Sequence, residues 1–201
     1  MWRRSIVLSL CAILSGTPAA ADQELTQREA DIMAGKVSAI LERGEMASTK
    51  NVAPLRTVFI EREVNAFFKF YGPSFMPTGV KNTLLAIEEG GRVRARAIAD
   101  LDAVRLSQPR GWFDPAAYLL RGQLEVTAVG VLTTANGKGT FLIENTTLGG
   151  VSIPKSLLQT LVSHYTKTPE QPEGFNLDKP FDLPSKIRAV ETKRGSATIV
   201  Q

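Results

Sequence analysis

The clearest strand pattern in this chain is "RVRARAIADL", residues 92–101. Its side chains alternate between an apolar set and a mostly charged set, and a period of two predicts a β-strand with one apolar face. The apolar set is Val93, Ala95, Ala97, Ala99 and Leu101, and the other is Arg92, Arg94, Arg96, Ile98 and Asp100. The preceding "VKNTLLAIEEGG" ends in two glycines that suit a hairpin turn. The two segments therefore predict an antiparallel pair.

Two further hairpins are predicted from turn signals. "QLEVTAVGVLTT" and "GTFLIENTTL" flank Asn136-Gly137, and "SKIRAVETKRGSATIVQ" reverses about Arg194-Gly195. The first of these is apolar on both faces, with Leu124, Val126, Ala128 and Leu132 on one and Val129 and Val131 on the other. A sheet that is apolar on both faces is covered on both, by a helix, a partner or a ligand.

Three segments have helical periodicity: residues 22–43, "EREVNAFFKFYGP" and "IPKSLLQTLVSHYT". "RTVFI" between the first two indicates a short strand, and "VRLSQPRGWFDPAAYLLRG" indicates an irregular excursion with some helical character. Hairpins separated by helices predict an α+β fold. We expect a curved antiparallel sheet of hairpins that wraps or packs against two to three amphipathic helices.

Residues 1–21 have the layout of a cleaved secretory signal, with Arg3 and Arg4, a short apolar run and a small-residue cleavage site before Asp22. This predicts a periplasmic or secreted protein with one α+β domain over residues 22–201 and no transmembrane segment in the mature chain. Sec export is favoured, and a twin-arginine route stays open. Cleavage lowers the net charge from +4 to +2 and removes Cys11, the one cysteine. No basic run remains, which argues against a nucleic-acid partner.

The chain offers few candidates for catalysis. His164 is the one histidine, and it lies at the edge of the apolar arc of a predicted helix, where a packing role is favoured over chemistry. Asp100 and Asp102 are two residues apart, but arginines share the strand face, so ion pairing is favoured over hydrolysis or calcium binding. We expect no catalytic residues, no metal site and no cofactor, and hence no enzyme.

Aromatic side chains give the best positive signal for a binding site. A helix that presents many rings over a wide arc, beside an irregular loop with a Trp-Phe pair, could line an apolar pocket, although core packing is the simpler interpretation. The predicted groove residues are Phe67, Phe68, Tyr71, Phe75, Trp112, Phe113, Leu157, Leu161 and Tyr165.

Several segments, including "VFIEREVNAFFKF", "LGGVSIPKSLLQTLVSHY" and "FDLPSKIRAVETKRGSATIVQ", resemble a family of uncharacterised exported bacterial proteins over about residues 57–201. The shared pattern includes an early strand followed by E-x-N and a chain that ends in a Val-Gln strand. More loosely, the order of elements resembles the TULIP-like periplasmic lipid-binding proteins, including the LmeA-like group. That resemblance implies a curved sheet around a helix and an apolar groove for lipid.

These observations lead to three functional hypotheses. The first is a non-enzymatic exported protein that binds a lipid or other apolar small molecule between sheet and helices. The second is a cell-envelope scaffold or interaction module that has a protein partner and no small ligand. The third, and least favoured, is a hydrolase that uses His164 or the pair Asp100 and Asp102.

Overall fold

The structure, a computed structural model, describes residues 24–46, 53–103, 121–169 and 171–201, with backbone only at Leu161 and Tyr165. Three helices are present in these ranges: α1 (Gln27–Glu45), α2 (Glu61–Phe70) and α3 (Lys155–Tyr165). The strands are β1 (Arg56–Ile60), β2 (Val80–Ile87), β3 (Arg92–Asp100), β4 (Gln123–Ala135), β5 (Lys138–Leu148), β6 (Val151–Ser152), β7 (Phe181–Asp182), β8 (Ala189–Lys193) and β9 (Ser196–Val200).

The predicted hairpins and helices are confirmed. β2 pairs antiparallel with β3, β4 with β5 and β8 with β9. The helix predicted over residues 22–43 spans Gln27–Glu45, and a capping box between Thr26 and Glu29 fixes its start. The predicted excursion falls mostly on residues 104–120, which lie outside the described residues.

The strands form two antiparallel sheets. One has six strands, in the order β2-β3-β4-β5-β6 with β7 on β5, and the other has three, in the order β1-β9-β8. The larger sheet is open and uncurled, and α2 packs at its β2 edge. The α+β prediction is therefore confirmed, and of the two arrangements expected, helices packing against the sheet is the one found.

The main core lies between α1, α2 and the small sheet. α1 packs on α2, and the buried side chains come from both helices and from β9. They include Ala30, Met33, Ile40, Val64, Ala66, Ile199 and Val200. Gln201 closes this core, since its side-chain amide donates hydrogen bonds to the backbone oxygens of Ile40 (2.9 Å) and Ser185 (2.7 Å).

The two sheets are joined by hydrogen bonds near their turns. The Thr134 hydroxyl accepts from the Val190 N–H (2.8 Å) and donates to the Val190 carbonyl (3.0 Å). The Gly91 N–H donates to the Thr192 hydroxyl (2.7 Å). At Gly91, where φ is +82°, an added Cβ would lie 2.0 Å from the Leu132 carbonyl oxygen, so the turn into β3 requires glycine.

The second face of the β4–β5 hairpin is partly covered. Val129 is buried and Val131 is half-buried, but Leu142, which pairs with Val131, is 61% exposed. The expectation that both faces are covered is thus met at Val129 and fails at Leu142.

Candidate functional site

Four of the predicted groove residues form an aromatic cluster at the end of α2. Phe67 is at its centre, with ring centroids 5.4 Å from Tyr71, 5.5 Å from Phe75 and 6.5 Å from Phe68. The helix ends before Gly72-Pro73, and a short 3₁₀ turn over Gly72–Ser74 brings Phe75 back onto Phe67. Phe75 remains 51% exposed, so the cluster presents an aromatic surface to solvent.

Tyr71 ties this cluster to α1. Its hydroxyl donates a hydrogen bond to the Asp31 carboxylate (2.6 Å), which also accepts from the Gln27 side chain (2.9 Å). The bond from Tyr71 lowers the pKa of Asp31, and the same bond raises the pKa of Tyr71. The hydroxyl of Tyr71 is therefore hydrogen-bonded to α1, and this bond holds the aromatic cluster at the end of α2 against α1.

An open cavity lies beside the cluster, between α2, the loop after it and the edge strand β2; we call it the β2 pocket. Its volume is about 570 Å³, within the ~300–1,000 Å³ typical of small-molecule sites. Most of its lining is apolar, and Phe68 is the predicted residue that belongs to it. The lining residues are Leu25, Phe68, Lys69, Gly72, Pro73, Met76, Pro77, Thr78, Gly79, Val80, Lys81, Asn82, Thr83 and Leu84.

The shape of β2 explains why a cavity forms there. Its pairing with β3 shifts between Lys81 and Leu84, and Asn82 has a φ of +51°. Such an irregularity bends an edge strand and re-aims its side chains. The pocket therefore has a distorted strand on one side and the end of α2 on the other.

α2 fixes the remainder of the β2 edge through two side chains one helical turn apart. Asn65 accepts from the Leu85 N–H (2.7 Å) and donates to the Leu85 carbonyl (2.9 Å), and Glu61 accepts from the Ile87 N–H (2.7 Å). These bonds occupy backbone groups that an edge strand otherwise leaves open. Sequence reasoning missed this role, although Asn65 is the last residue of the E-x-N motif.

The other predicted groove residues are not brought to the aromatic cluster by the described structure. α3 contacts β5, which two strands separate from β2, a distance of roughly 14 Å at the usual strand spacing. Leu157 is half-exposed on α3, while Leu161 and Tyr165 are described by their backbone alone. Trp112 and Phe113 lie outside the described residues. Whether any of these side chains contacts a ligand stays a prediction.

The residues considered for catalysis are His164, Asp100 and Asp102, and the two aspartates accept hydrogen bonds from neighbouring groups. His164 is half-buried in the last turn of α3. Asp100 ends β3 and accepts from the Ala103 N–H (3.1 Å) and from Lys81 (3.2 Å), and these two bonds, in that order, lower its pKa. Asp102 lies beyond the strand in a helical turn and accepts from the Gly122 N–H (2.9 Å).

The arginine-rich face of β3 carries ion pairs, as expected. Arg92 pairs with Glu88 and Glu144, Arg94 also pairs with Glu88, and the Arg96 guanidinium lies 3.8 Å from Glu125. The cross-strand partner of Asp100 is Lys81 and not one of the arginines.

Two features of the described part of the chain bear on ligands and membranes. Among those residues, no group of three or more His, Cys, Asp or Glu side chains could hold a metal ion. No helix within the same ranges has the length and apolar character needed to cross a membrane.

Comparisons with known proteins add little. No family model and no curated protein matches the chain. One similar solved structure is described as "Crystal structure of lipopolysaccharide binding protein", with 13% identity, a TM-score of 0.20 and coverage of 78% of this chain. The chain spans 45% of the length of that neighbour. At this TM-score the likeness carries no argument about fold or ligand.

Proposed function

We propose that this protein is a non-enzymatic, exported binding protein that holds a lipid or other apolar small molecule in the β2 pocket. The observation that carries the proposal is the pocket itself, an open cavity of about 570 Å³ with a mostly apolar lining. The aromatic cluster supports it, because Phe75 leaves a large apolar surface exposed next to the cavity. Burial of exposed apolar surface is what drives such a ligand from water into a pocket.

The experiment is uptake of a fluorescent fatty acid by the mature protein, with two matched leucine variants. Leu84 lines the pocket, and Leu142 is an exposed leucine on another strand of the same sheet. Leu84→Gln removes apolar contact with the ligand, worth about 1 kcal/mol, and should weaken uptake roughly fivefold. Leu142→Gln should leave uptake unchanged.

Two results would contradict the proposal. The first is no saturable uptake by the unchanged protein. The second is an equal effect of the two leucine changes, which would place the binding surface elsewhere.

A protein-interaction module remains the second candidate, and the observation in its favour is the exposed apolar surface beyond the pocket. Leu142 on β5 and Val151 on β6 are both largely exposed. A pulldown from envelope extract with the unchanged protein and with Leu142→Gln distinguishes the two functions. Loss of a specific partner in the variant, together with no uptake of fatty acid, would favour the module.

A further inference from the structure

The β2 pocket has charge at its lining as well as apolar surface. Among the described residues that line it are two lysines, Lys69 and Lys81, and no carboxylate. Lys69 belongs to the last turn of α2 and Lys81 to the irregular part of β2, so the two lysines come from the two elements that flank the cavity. The lining therefore favours a ligand with an apolar body and a negative group.

The existing partners of these lysines leave them able to bind such a group. Lys69 pairs with Glu24 at 3.0 Å and Lys81 pairs with Asp100 at 3.2 Å. The Glu24 side chain is 87% exposed, and both lysine side chains are more than 40% exposed. The exposed Lys69–Glu24 pair is weak, whereas Asp100 is only 20% exposed and stays paired with Lys81. Each ammonium has three N–H donors, so a second anion can be bound without displacing the first.

The volume of the pocket limits the apolar part of the ligand. A cavity of about 150 Å³ holds one benzene, which corresponds to roughly 25 Å³ per non-hydrogen atom. By the same proportion, 570 Å³ holds roughly 20 such atoms. That is enough for one acyl chain with its head group.

We propose that the β2 pocket binds a single-chain amphiphile with an anionic head group, with the chain against Phe68, Met76 and Leu84 and the head group between Lys69 and Lys81. This rests on the proposed function and adds the class of ligand to it. A carboxylate and a phosphate head group share the chemistry that the lysines recognise.

The experiment compares four probes with the same alkyl chain on the mature protein by titration calorimetry, below their micelle concentrations. The probes are laurate, lauryl phosphate, lauryl maltoside and dodecyltrimethylammonium. The two anions should bind roughly 3- to 30-fold more tightly than the neutral maltoside, and the cation should bind most weakly. The ratio of laurate to lauryl phosphate affinity shows which of the two head groups fits better. The preference should shrink at high salt, because salt screens exposed charges.

A double variant, Lys69→Gln with Lys81→Gln, should lose the preference for anions and keep its affinity for the maltoside. The matched control is Lys138→Gln with Lys155→Gln, which removes two other exposed lysines that pair with Asp182 and Asp178 outside the pocket. The control should keep the preference, and retained maltoside binding shows that the variants are folded.

The outcomes separate the two proposals. Equal affinity for anionic and neutral probes, or a preference that survives the double variant, would overturn the head-group assignment while the proposed function stands. No binding of any of the four probes would overturn both.

Discussion

Glu29 shows how one side chain can hold two helices together. Its carboxylate accepts from the N–H (2.9 Å) and the hydroxyl (2.8 Å) of Thr26 at the start of α1, and it pairs with the Arg62 guanidinium from α2. The bond from Arg62 first, and then those from Thr26, lower the pKa of Glu29 to about 2. The charged form of Glu29 is therefore favoured by the folded state.

This shift predicts a pH dependence of stability. Because the pKa in the folded protein is below the ordinary value of 4.5, the contribution of Glu29 is complete above that value and is lost as pH falls from about 4.5 towards about 2. Glu29→Gln should therefore destabilise the protein at neutral pH, and the difference from the unchanged protein should narrow in acid. Urea unfolding midpoints across this pH range measure it.

Glu42→Gln is the control for this measurement, since Glu42 is exposed on the same helix and the change alters the net charge equally. A destabilisation by Glu29→Gln that stays constant from neutral pH into this acid range would contradict the role given to the Glu29 carboxylate.

The Thr26-x-x-Glu29 spacing is a capping signature that can be read from the sequence. The contact with Arg62 cannot, because it depends on how α1 and α2 pack.

At the scale of elements, α2 both builds the pocket and protects a strand edge. Its last turn supplies Phe68 to the pocket, and its first two turns supply Glu61 and Asn65 to the backbone of β2. The irregular part of β2, which lines the pocket, ends directly before the stretch that these two side chains hold. Formation of the pocket thus depends on the position of a single short helix.

Asn65 provides the test of this arrangement. Asn65→Ala leaves the half-buried N–H and carbonyl of Leu85 without their side-chain partner and should cost about 1–3 kcal/mol of the free energy of unfolding. Urea unfolding measures the cost, and hydrogen exchange should show faster exchange at the Leu85 amide. Asn145→Ala, on the exposed part of β5, should stay within about 0.5 kcal/mol of the unchanged protein. Equal midpoints for the two variants would show that Asn65 does not hold the edge.

The elements themselves were well predicted from the sequence, for physical reasons. Alternation, turn glycines and the Asn136-Gly137 pair act over a few residues, so the three hairpins and β1 could be located directly. The pairing of β1 with β9 joins distant parts of the chain. No local pattern specifies that pairing, and for this reason the division into two sheets was not anticipated.

At the scale of the whole molecule, the described residues of the predicted groove fall in two separate regions of the large sheet. The aromatic cluster and the β2 pocket lie at the β2 edge, while α3 with Leu157 lies against β5. Sequence reasoning grouped both sets into one groove, because hydrophobicity reports that a residue is apolar and not which edge of a sheet it reaches. Of the predicted groove residues, Phe68 lines the β2 pocket, while its lining residues Met76, Pro77 and Leu84, which come from a loop and an irregular strand, were not predicted.

Native mass spectrometry of the mature protein, released from cells without detergent, is the decisive test of ligand binding in the β2 pocket. We expect a fraction of the protein to carry a bound apolar small molecule, and we expect Leu84→Gln to reduce that fraction and Leu142→Gln to leave it unchanged. Ligand-free protein in repeated preparations, with no adduct after incubation with a fatty acid, would contradict this expectation.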